Sequence, residues 1–107
     1  MRWTVQTLNS NVDAEVAALP ADMQARFLRL AELIEQVGLQ ALPRGSVKHL
    51  EGSLWELRIT GRDGISRAIY LTAAVQRVVI LRVFIKKTRK TPPNELRIAR
   101  ERARDVK

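Results

Sequence analysis

The feature that most constrains the fold is an apolar run in the C-terminal third, Val78-Val79-Ile80-Leu81-Arg82-Val83-Phe84-Ile85. The run is rich in β-branched residues and does not alternate with polar ones, which is typical of a strand buried on both faces. It predicts a strand over Arg77 to Ile85 in the centre of a sheet, covered by other layers. Arg82 is the one charged residue inside it.

Two further strands are predicted before this run. Trp55, Leu57 and Ile59 alternate with Leu54, Glu56 and Arg58, a turn follows over Gly61 to Gly64, and Arg67 to Leu71 forms the next strand. With Arg77 to Ile85 they make a three-stranded antiparallel meander. A shorter alternation over Arg2 to Thr7 predicts an N-terminal strand.

Helices are predicted between the first strand and the meander, and again at the C-terminal end. Asn9-Ser10-Asn11 supplies cap chemistry for a helix over Val12 to Leu19, and Pro20 marks a break. Apolar residues at three- and four-residue steps then predict helix as far as Gly38, so this part is two helices or one broken helix. A loop over Leu39 to Ser46 leads to the meander. Thr91-Pro92-Pro93 begins a final helix, and the whole chain, 1–107, is predicted to be one α+β domain.

Composition excludes several kinds of chemistry. The chain has no Cys and a single His, which excludes disulfides, thiolate metal sites and cysteine nucleophiles. No metal or other cofactor is expected. The N-terminus lacks an apolar signal core and no stretch approaches the roughly 20 apolar residues of a membrane span, so the expected location is the cytoplasm.

Positive charge is concentrated at one end of the chain. Residues 82–107 contain 10 Lys and Arg against 3 Asp and Glu, which is +7 of the net charge of +8. This asymmetry indicates a polyanionic partner such as nucleic acid, with Arg89 and Lys90 among the candidate contacts. A solvated basic tail or an antitoxin-like arm explains the same charge equally well.

Two arginines of the meander are candidates for an anion site. Arg58 and Arg67 lie in strands joined by a tight hairpin, so they are expected to come close together. Two adjacent guanidiniums are unfavourable without an anion between them, and the planar fork of Arg suits phosphate oxygens. The alternative is that Glu56 or Glu51 pairs with one of them and both are ordinary residues of a polar face.

The apolar strand and its end provide further candidates. Arg82 either forms an ion pair, for example with Glu56, or faces a substrate groove. Phe84 is expected on the same side, where it would stack on a nucleobase or pack in the core. Lys86 and Lys87 leave the strand where a site could be assembled.

Lys48 and His49 precede the meander and are expected to form the opposite wall of the site. Histidine is the side-chain type whose unperturbed pKa lies closest to neutrality, so the single His49 is a candidate general base or acid, with a surface or packing role as the alternative.

Two motifs carry a family resemblance. Lys48-His49-Leu50 leads into Leu54-Trp55-Glu56-Leu57-Arg58, and the apolar strand ends in Phe84-Ile85-Lys86-Lys87-Thr88-Arg89-Lys90-Thr91-Pro92. With Arg67 and Tyr70 between them, these elements resemble toxins of RelE/HigB-type toxin–antitoxin pairs, in particular the phage-derived HigB-like branch of the RelE/ParE superfamily. The combination at this separation is specific, whereas neither element is specific alone.

The resemblance implies a small microbial RNase fold and a metal-independent endoribonuclease that cleaves mRNA on the ribosome through attack by the RNA 2′-hydroxyl. By motif position, Arg58 and Arg67 would neutralise the scissile phosphate and Lys86 and Lys87 would assist that charge or the proton transfers. RNA-binding residues would be Lys48, His49, Arg82, Phe84, Arg89 and Lys90. Arg82-Val83 stands where relatives often have His-Gly, and an Arg cannot replace a histidine base because its guanidinium stays protonated in proteins.

The family also implies a partner, an antitoxin with a helix-turn-helix DNA-binding domain. Operator DNA would be bound only through this antitoxin. Two other functions remain open: a ParE-like inhibitor of DNA gyrase without catalytic activity, since fold alone does not fix function, and a basic nucleic-acid-binding module.

Overall fold

The computed structural model describes residues 2–107. The elements in chain order are β1 (Thr4–Thr7), α1 (Ser10–Ala17), α2 (Ala21–Val37), a 3₁₀ turn (Leu39–Ala41), β2 (Val47–Glu51), β3 (Leu54–Gly61), β4 (Gly64–Ala73), β5 (Arg77–Lys86) and α3 (Pro93–Ala103). The α+β class predicted from sequence is confirmed. None of the described helices is long and apolar enough to cross a membrane.

The five strands form one mixed sheet in the order β1-β5-β4-β3-β2. Strands β2 to β5 form an antiparallel meander, and β1 pairs in parallel with the first half of β5, from Thr4 opposite Arg77 to Thr7 opposite Ile80. The meander therefore has four strands where three are predicted, because Val47–Glu51 is a short edge strand. The apolar run is an interior strand, as expected.

Helices cover both faces of the sheet. On one face, here called the α1/α2 face, side chains of those helices such as Phe27 and Leu30 pack on Leu57, Ile59 and Tyr70 of the sheet. The other, called the α3 face, carries a second cluster in which α3 packs through Ala99. Because side chains alternate along a strand, each strand contributes to both clusters.

Local sequence chemistry explains where the helices begin and end. The Asn9 side chain accepts hydrogen bonds from the backbone N–H groups of Asn11 and Val12 and so caps α1. Pro20 separates α1 from α2, which makes two helices rather than one. Helix α2 ends at Gly38, which has φ 87°, a conformation that costs little only for glycine.

The β4–β5 ladder has a register shift, since Ile69 lies opposite Arg82 and Tyr70 opposite Ile80. One extra residue on β5 is therefore accommodated as a bulge. The bulge lies just beyond the last residue of β5 that pairs with β1. This arrangement places Arg82 at the open edge of the sheet, between α1 and α3.

Candidate functional site: a cationic cluster on the α3 face

Arg58 and Arg67 are direct cross-strand partners in the β3–β4 hairpin. Leu57 and Ile59 point into the α1/α2 core, so Arg58 between them points to the α3 face, and Arg67 opposite it points the same way. Arg58 is exposed, whereas Arg67 is only 8% exposed. The two guanidiniums are thus brought onto one face, as the sequence predicts.

Lys86 joins this pair from β5. Phe84 lies opposite Arg67, so Lys86 two residues later is a diagonal neighbour of Arg67 on the same face. Burial lowers the pKa of Lys86, and the positive charges nearby lower it further: Arg67, Arg58, Lys48 and Arg89. These four residues and Lys86 are called the cationic cluster below.

The cluster collects side chains from five separate segments, namely the strands β2, β3, β4 and β5 and the loop after β5. Lys48 comes from β2, where it pairs with Glu56 across the ladder, and Arg89 comes from the loop after β5. The loop and the end of the β4–β5 pair border a surface depression of about 370 Å³, lined by Gly64, Ile65, Lys86, Lys87, Thr88 and Arg89. An anion seated there has several cations within reach.

One buried carboxylate lies beneath the cluster. Glu56 is only 1% exposed and forms an ion pair with Arg67 through Nη1. Its other oxygen, Oε2, accepts a hydrogen bond of 2.5 Å from the hydroxyl of Thr91. Burial lowers the pKa of Arg67, but a guanidinium stays charged in proteins. The sequence left two alternatives for Arg67, an ion pair with a glutamate or a place in a group of cations. The structure contains both, since Arg67 pairs with Glu56 and also lies in the cationic cluster.

Arg82 is committed to ion pairs outside the cluster. Its Nη1 lies 2.7 Å from Oε2 of Glu15 in α1, and its Nε lies 2.8 Å from Oε1 of Glu95 in α3. Glu15 also binds Arg102 and accepts a hydrogen bond of 3.0 Å from the Val83 N–H. Of the two alternatives for Arg82, the structure supports the ion pair, but with Glu15 and Glu95 rather than with Glu56.

The pKa directions agree with this network. Burial alone would raise the pKa of Glu15, but hydrogen bonds from Arg102 and Val83 and the charges of Arg82 and Arg102 outweigh it, so its pKa is lowered. Burial would lower the pKa of Arg82, and its contacts with Glu95 and Glu15 raise it instead. The network joins α1, β5 and α3 at the open edge of the sheet.

Phe84 is placed in the core on the α3 face. Its side chain is 8% exposed and packs with Ile69, Leu71 and Leu81. The ring therefore has little surface on which a nucleobase could stack. Of its two alternatives, the structure favours the packing role.

His49 is separated from the cluster, which corrects the expectation that Lys48 and His49 form one wall. Both residues lie in β2, where neighbouring side chains point to opposite faces. Lys48 faces the cluster. His49 lies opposite Trp55 on the α1/α2 face, with the two rings edge to face at 4.9 Å, and its Nε2 is 2.8 Å from the Gly52 carbonyl oxygen.

The loop between β5 and α3 carries the remaining candidates. Lys87, Arg89 and Lys90 are exposed, and the Thr88 hydroxyl donates to the Lys90 carbonyl at 2.7 Å. Arg89 belongs to the cluster and Lys87 lines the depression beside it. Lys90 is the loop residue adjacent to Thr91, whose hydroxyl is bound by Glu56.

Other surfaces of the described chain offer less chemistry. A second depression of about 370 Å³ lies on the α1/α2 face, and its lining contains no formally charged side chain: Trp3, Leu39, Gln40, Val47, Trp55, Tyr70 and Thr72. Burial raises the pKa of Tyr70 to about 12, so this phenol stays protonated at neutral pH. Within residues 2–107, no group of three or more His, Cys, Asp or Glu side chains could hold a metal ion.

The residues that sequence reasoning did not assign are Thr91 as a hydrogen-bond donor to Glu56, and Glu15, Glu95 and Arg102 as members of the Arg82 network. The isolated charge of Arg82 in an apolar run was a signal that partners must exist. Its partners lie 67 and 13 residues away along the chain, and nothing local in the sequence identifies them.

The cationic cluster can bind and neutralise an anion with several negative oxygens. Arg presents paired N–H donors to phosphate, and Lys86 adds a proton donor with a lowered pKa. Preorganised cations of this kind stabilise charge that develops during phosphoryl transfer. No histidine or free carboxylate lies among the cluster residues, since Glu56 is paired.

The chain was compared with protein families, curated proteins and solved structures. The family model described as phage derived protein Gp49-like (DUF891) matches residues 14–104. No curated protein matches the chain. Among solved structures, the chain is similar to one in the crystal structure of the archaeal RelE-RelB complex from Pyrococcus horikoshii OT3, with 27% identity and a TM-score of 0.57, covering 79% of this chain and 96% of that one.

The family match covers most of the chain, and it includes β2 to β5 and the loop that follows, which together carry all five cluster residues. The structural match shows that the chain is similar to the RelE fold. The chain therefore belongs to the phage-derived Gp49-like family, within the RelE superfamily of toxins.

Proposed function

We propose that this protein is the toxin of a toxin–antitoxin pair and acts as an endoribonuclease that cleaves mRNA on the ribosome in the cytoplasm. The observation that carries the proposal is the cationic cluster, in which five Lys and Arg side chains from separate segments lie close enough to shift the pKa of Lys86. Like charges held together on a sheet are unfavourable unless an anion joins them. A scissile phosphate is an anion of suitable charge and shape.

The proposed reaction is an intramolecular transesterification. The 2′-oxygen of the RNA attacks the adjacent phosphorus, a P–O2′ bond forms, and the P–O5′ bond breaks. The 2′-hydroxyl gives its proton to solvent water, and the leaving 5′-oxygen takes a proton from the Lys86 ammonium, which regains one from solvent. Arg58 and Arg67 neutralise the phosphate oxygens, on which negative charge builds up, and the requirement for a 2′-hydroxyl restricts the substrate to RNA.

Lys86 is the proposed proton donor to the leaving oxygen. Its pKa is lowered by burial and by neighbouring cations, which brings the ammonium closer to the range in which proton transfer is efficient. Lys87, Arg89 and Lys90 are exposed and act in the proposal as contacts to flanking phosphates. Metal ions have no part in these steps.

The proposed partner is an antitoxin with a helix-turn-helix domain, through which the pair would bind operator DNA. Support comes from the similarity to a RelE chain that was solved in a complex with RelB. A partner that covers the cationic cluster needs acidic side chains to match its charge.

The test is cleavage of a defined mRNA on purified ribosomes, with and without a metal chelator, with new 5′ ends mapped by primer extension. Discrete cuts that resist the chelator are expected. The diagnostic variant is Arg58→Met, because Arg58 is exposed and its side chain has no ion pair within residues 2–107. The control is Arg29→Met on the solvent side of α2, which removes the same charge from a helix on the opposite face of the sheet.

Loss of cleavage in Arg58→Met but not in Arg29→Met would support the proposed site. Intact mRNA during growth arrest by the wild-type protein would refute the nuclease and move the target to another macromolecule such as gyrase. Equal loss of activity in both variants would mean that net charge alone matters and that the cluster has no special role.

A further inference from the structure

A buried contact links the sheet to the segment between β5 and α3, residues 87–92, which is called the basic loop below. Glu56 lies on β3 with its carboxylate between Arg67 of β4 and Thr91, which lies in the loop after β5. Each carboxylate oxygen has a different partner, Arg67 at Oε1 and the Thr91 hydroxyl at Oε2. The carboxylate therefore contacts both an arginine of the cationic cluster and the segment that carries the loop cations.

The burial of Glu56 makes this contact costly to lose. At 1% exposure, the carboxylate has almost no access to water, so any oxygen without a protein partner stays unsatisfied. A hydrogen bond to a charged acceptor is also stronger than one between neutral groups. Thr91 is thereby held at the sheet, close to the point where α3 begins.

The loop has few other restraints. Between Lys86 and Thr91, its side-chain hydrogen bonds within the described chain are the one inside the loop, from Thr88 to Lys90, and the one from Thr91 to Glu56. Lys87, Thr88, Arg89 and Lys90 are exposed. The position of Arg89 relative to Arg67 therefore depends strongly on the Thr91–Glu56 contact.

We infer that Glu56 and Thr91 are positioning residues of the proposed ribonuclease site, which hold the basic loop in register with Arg67 so that Arg89 and Lys86 bind the same RNA segment. This inference rests on the proposed function. Neither residue is expected to touch the RNA, since Glu56 is buried and carries the same sign of charge as phosphate. A displacement of about 1 Å at such a site lowers the rate of reaction up to a hundredfold.

The variant that tests the inference is Thr91→Val, which removes the hydroxyl, preserves the shape of the side chain, and leaves the Glu56–Arg67 pair in place. Thr91→Ser restores the hydroxyl and serves as the rescue. The control is Thr72→Val, an exposed strand threonine that lies on the other face, where it lines the apolar depression. All three are compared with the wild type at a temperature well below their unfolding midpoints.

The first readout is limited digestion by trypsin, which does not depend on activity. The loop offers cleavage sites after Lys86, Lys87, Arg89 and Lys90. Loss of a hydrogen bond to a charged group is expected to raise the rate of the first cut in the loop about tenfold in Thr91→Val, and Thr91→Ser and Thr72→Val should match the wild type. An unchanged rate of loop cleavage in Thr91→Val would overturn the inference.

The second readout is single-turnover cleavage of mRNA on ribosomes. Thr91→Val should lower the rate at saturating ribosomes about tenfold with little change in the half-saturating concentration, and Thr91→Ser should restore the rate. Unchanged rates, or failure of the serine to rescue, would overturn the positioning role. If the wild type cleaves no mRNA, the proposed function fails, and the tryptic readout still decides whether Thr91 and Glu56 hold the loop.

Discussion

Replacement of Arg67 is predicted to destabilise the fold strongly, because it leaves Glu56 as a buried charge without its main partner. Removal of one member of a buried ion pair costs about 3–5 kcal/mol. The Thr91 hydroxyl still donates to Oε2 of Glu56, so the lower end, about 3 kcal/mol, is expected for Arg67→Met. Methionine keeps most of the aliphatic stem, so the change reports on the charge rather than on packing.

The expected loss corresponds to a fall in Tm of about 12–24 °C for a chain of this size. Urea unfolding followed by circular dichroism measures the free energy of unfolding directly, and Arg67→Met, Glu56→Gln and the double variant form a thermodynamic cycle. In the double variant neither charge is left alone. Its loss of stability should therefore be smaller than the sum of the single losses by about 2 kcal/mol.

Additive losses, with an interaction energy below about 0.5 kcal/mol, would refute the argument that the pair is buried and coupled. The exposed pair of Arg29 and Glu32 on α2 is the internal control. Its atoms lie 3.8 Å apart and the side chains are 65% and 62% exposed. Arg29→Met should therefore cost less than about 0.5 kcal/mol.

Three further predictions concern other parts of the chain. Because the pKa of Glu15 is lower in the folded protein, its ionised carboxylate stabilises the fold at a pH above the ordinary glutamate pKa of about 4.3, and this stabilisation is lost as the pH falls through the lowered pKa. The difference in Tm between the wild type and Glu15→Gln, measured against pH, should therefore narrow below about pH 4. Gly61→Ala would place a Cβ 2.6 Å from Cγ of the buried Met23, so urea unfolding should show a loss of about 1–3 kcal/mol. Substitution of Lys86 and Lys87 together by Ala should reduce cleavage of ribosome-bound mRNA more than either single change; unchanged cleavage by the double variant would remove both lysines from the site.

Most of the fold could be predicted because local patterns determine it. Alternation in β3, the apolar run of β5 and the spacing in α2 each depend on contacts that repeat every two to four residues. Strand β2 was missed because it is a five-residue edge strand in which no residue is fully buried, so its alternation is weak. The parallel pairing of β1 with β5 joins residues more than 70 positions apart, and no local pattern encodes it.

The part of the site that could be predicted is the pair of arginines in the β3–β4 hairpin. The turn at Gly61–Gly64 fixes the register that brings Arg58 opposite Arg67, and both ends of the turn are visible in the sequence. His49 was assigned to the wrong face because Val47–Glu51 was not recognised as a strand, in which Lys48 and His49 must diverge. The Glu15 and Glu95 partners of Arg82 depend on how α1 and α3 pack, which only the tertiary structure shows.

The pairing of β1 with β5 also determines the order in which the chain can fold during synthesis. Among the strands, Thr4 to Thr7 leave the ribosome before the others, whereas their partners, Arg77 to Ile80, belong to the strand that is made last. The contact of Glu15 with Arg102 spans 87 residues and closes later still. Contacts of such long sequence separation delay folding until both partner segments have been synthesised. A nascent chain that stops before β5 therefore has neither a partner for β1 nor Lys86, so its cationic cluster is incomplete while it is still being translated.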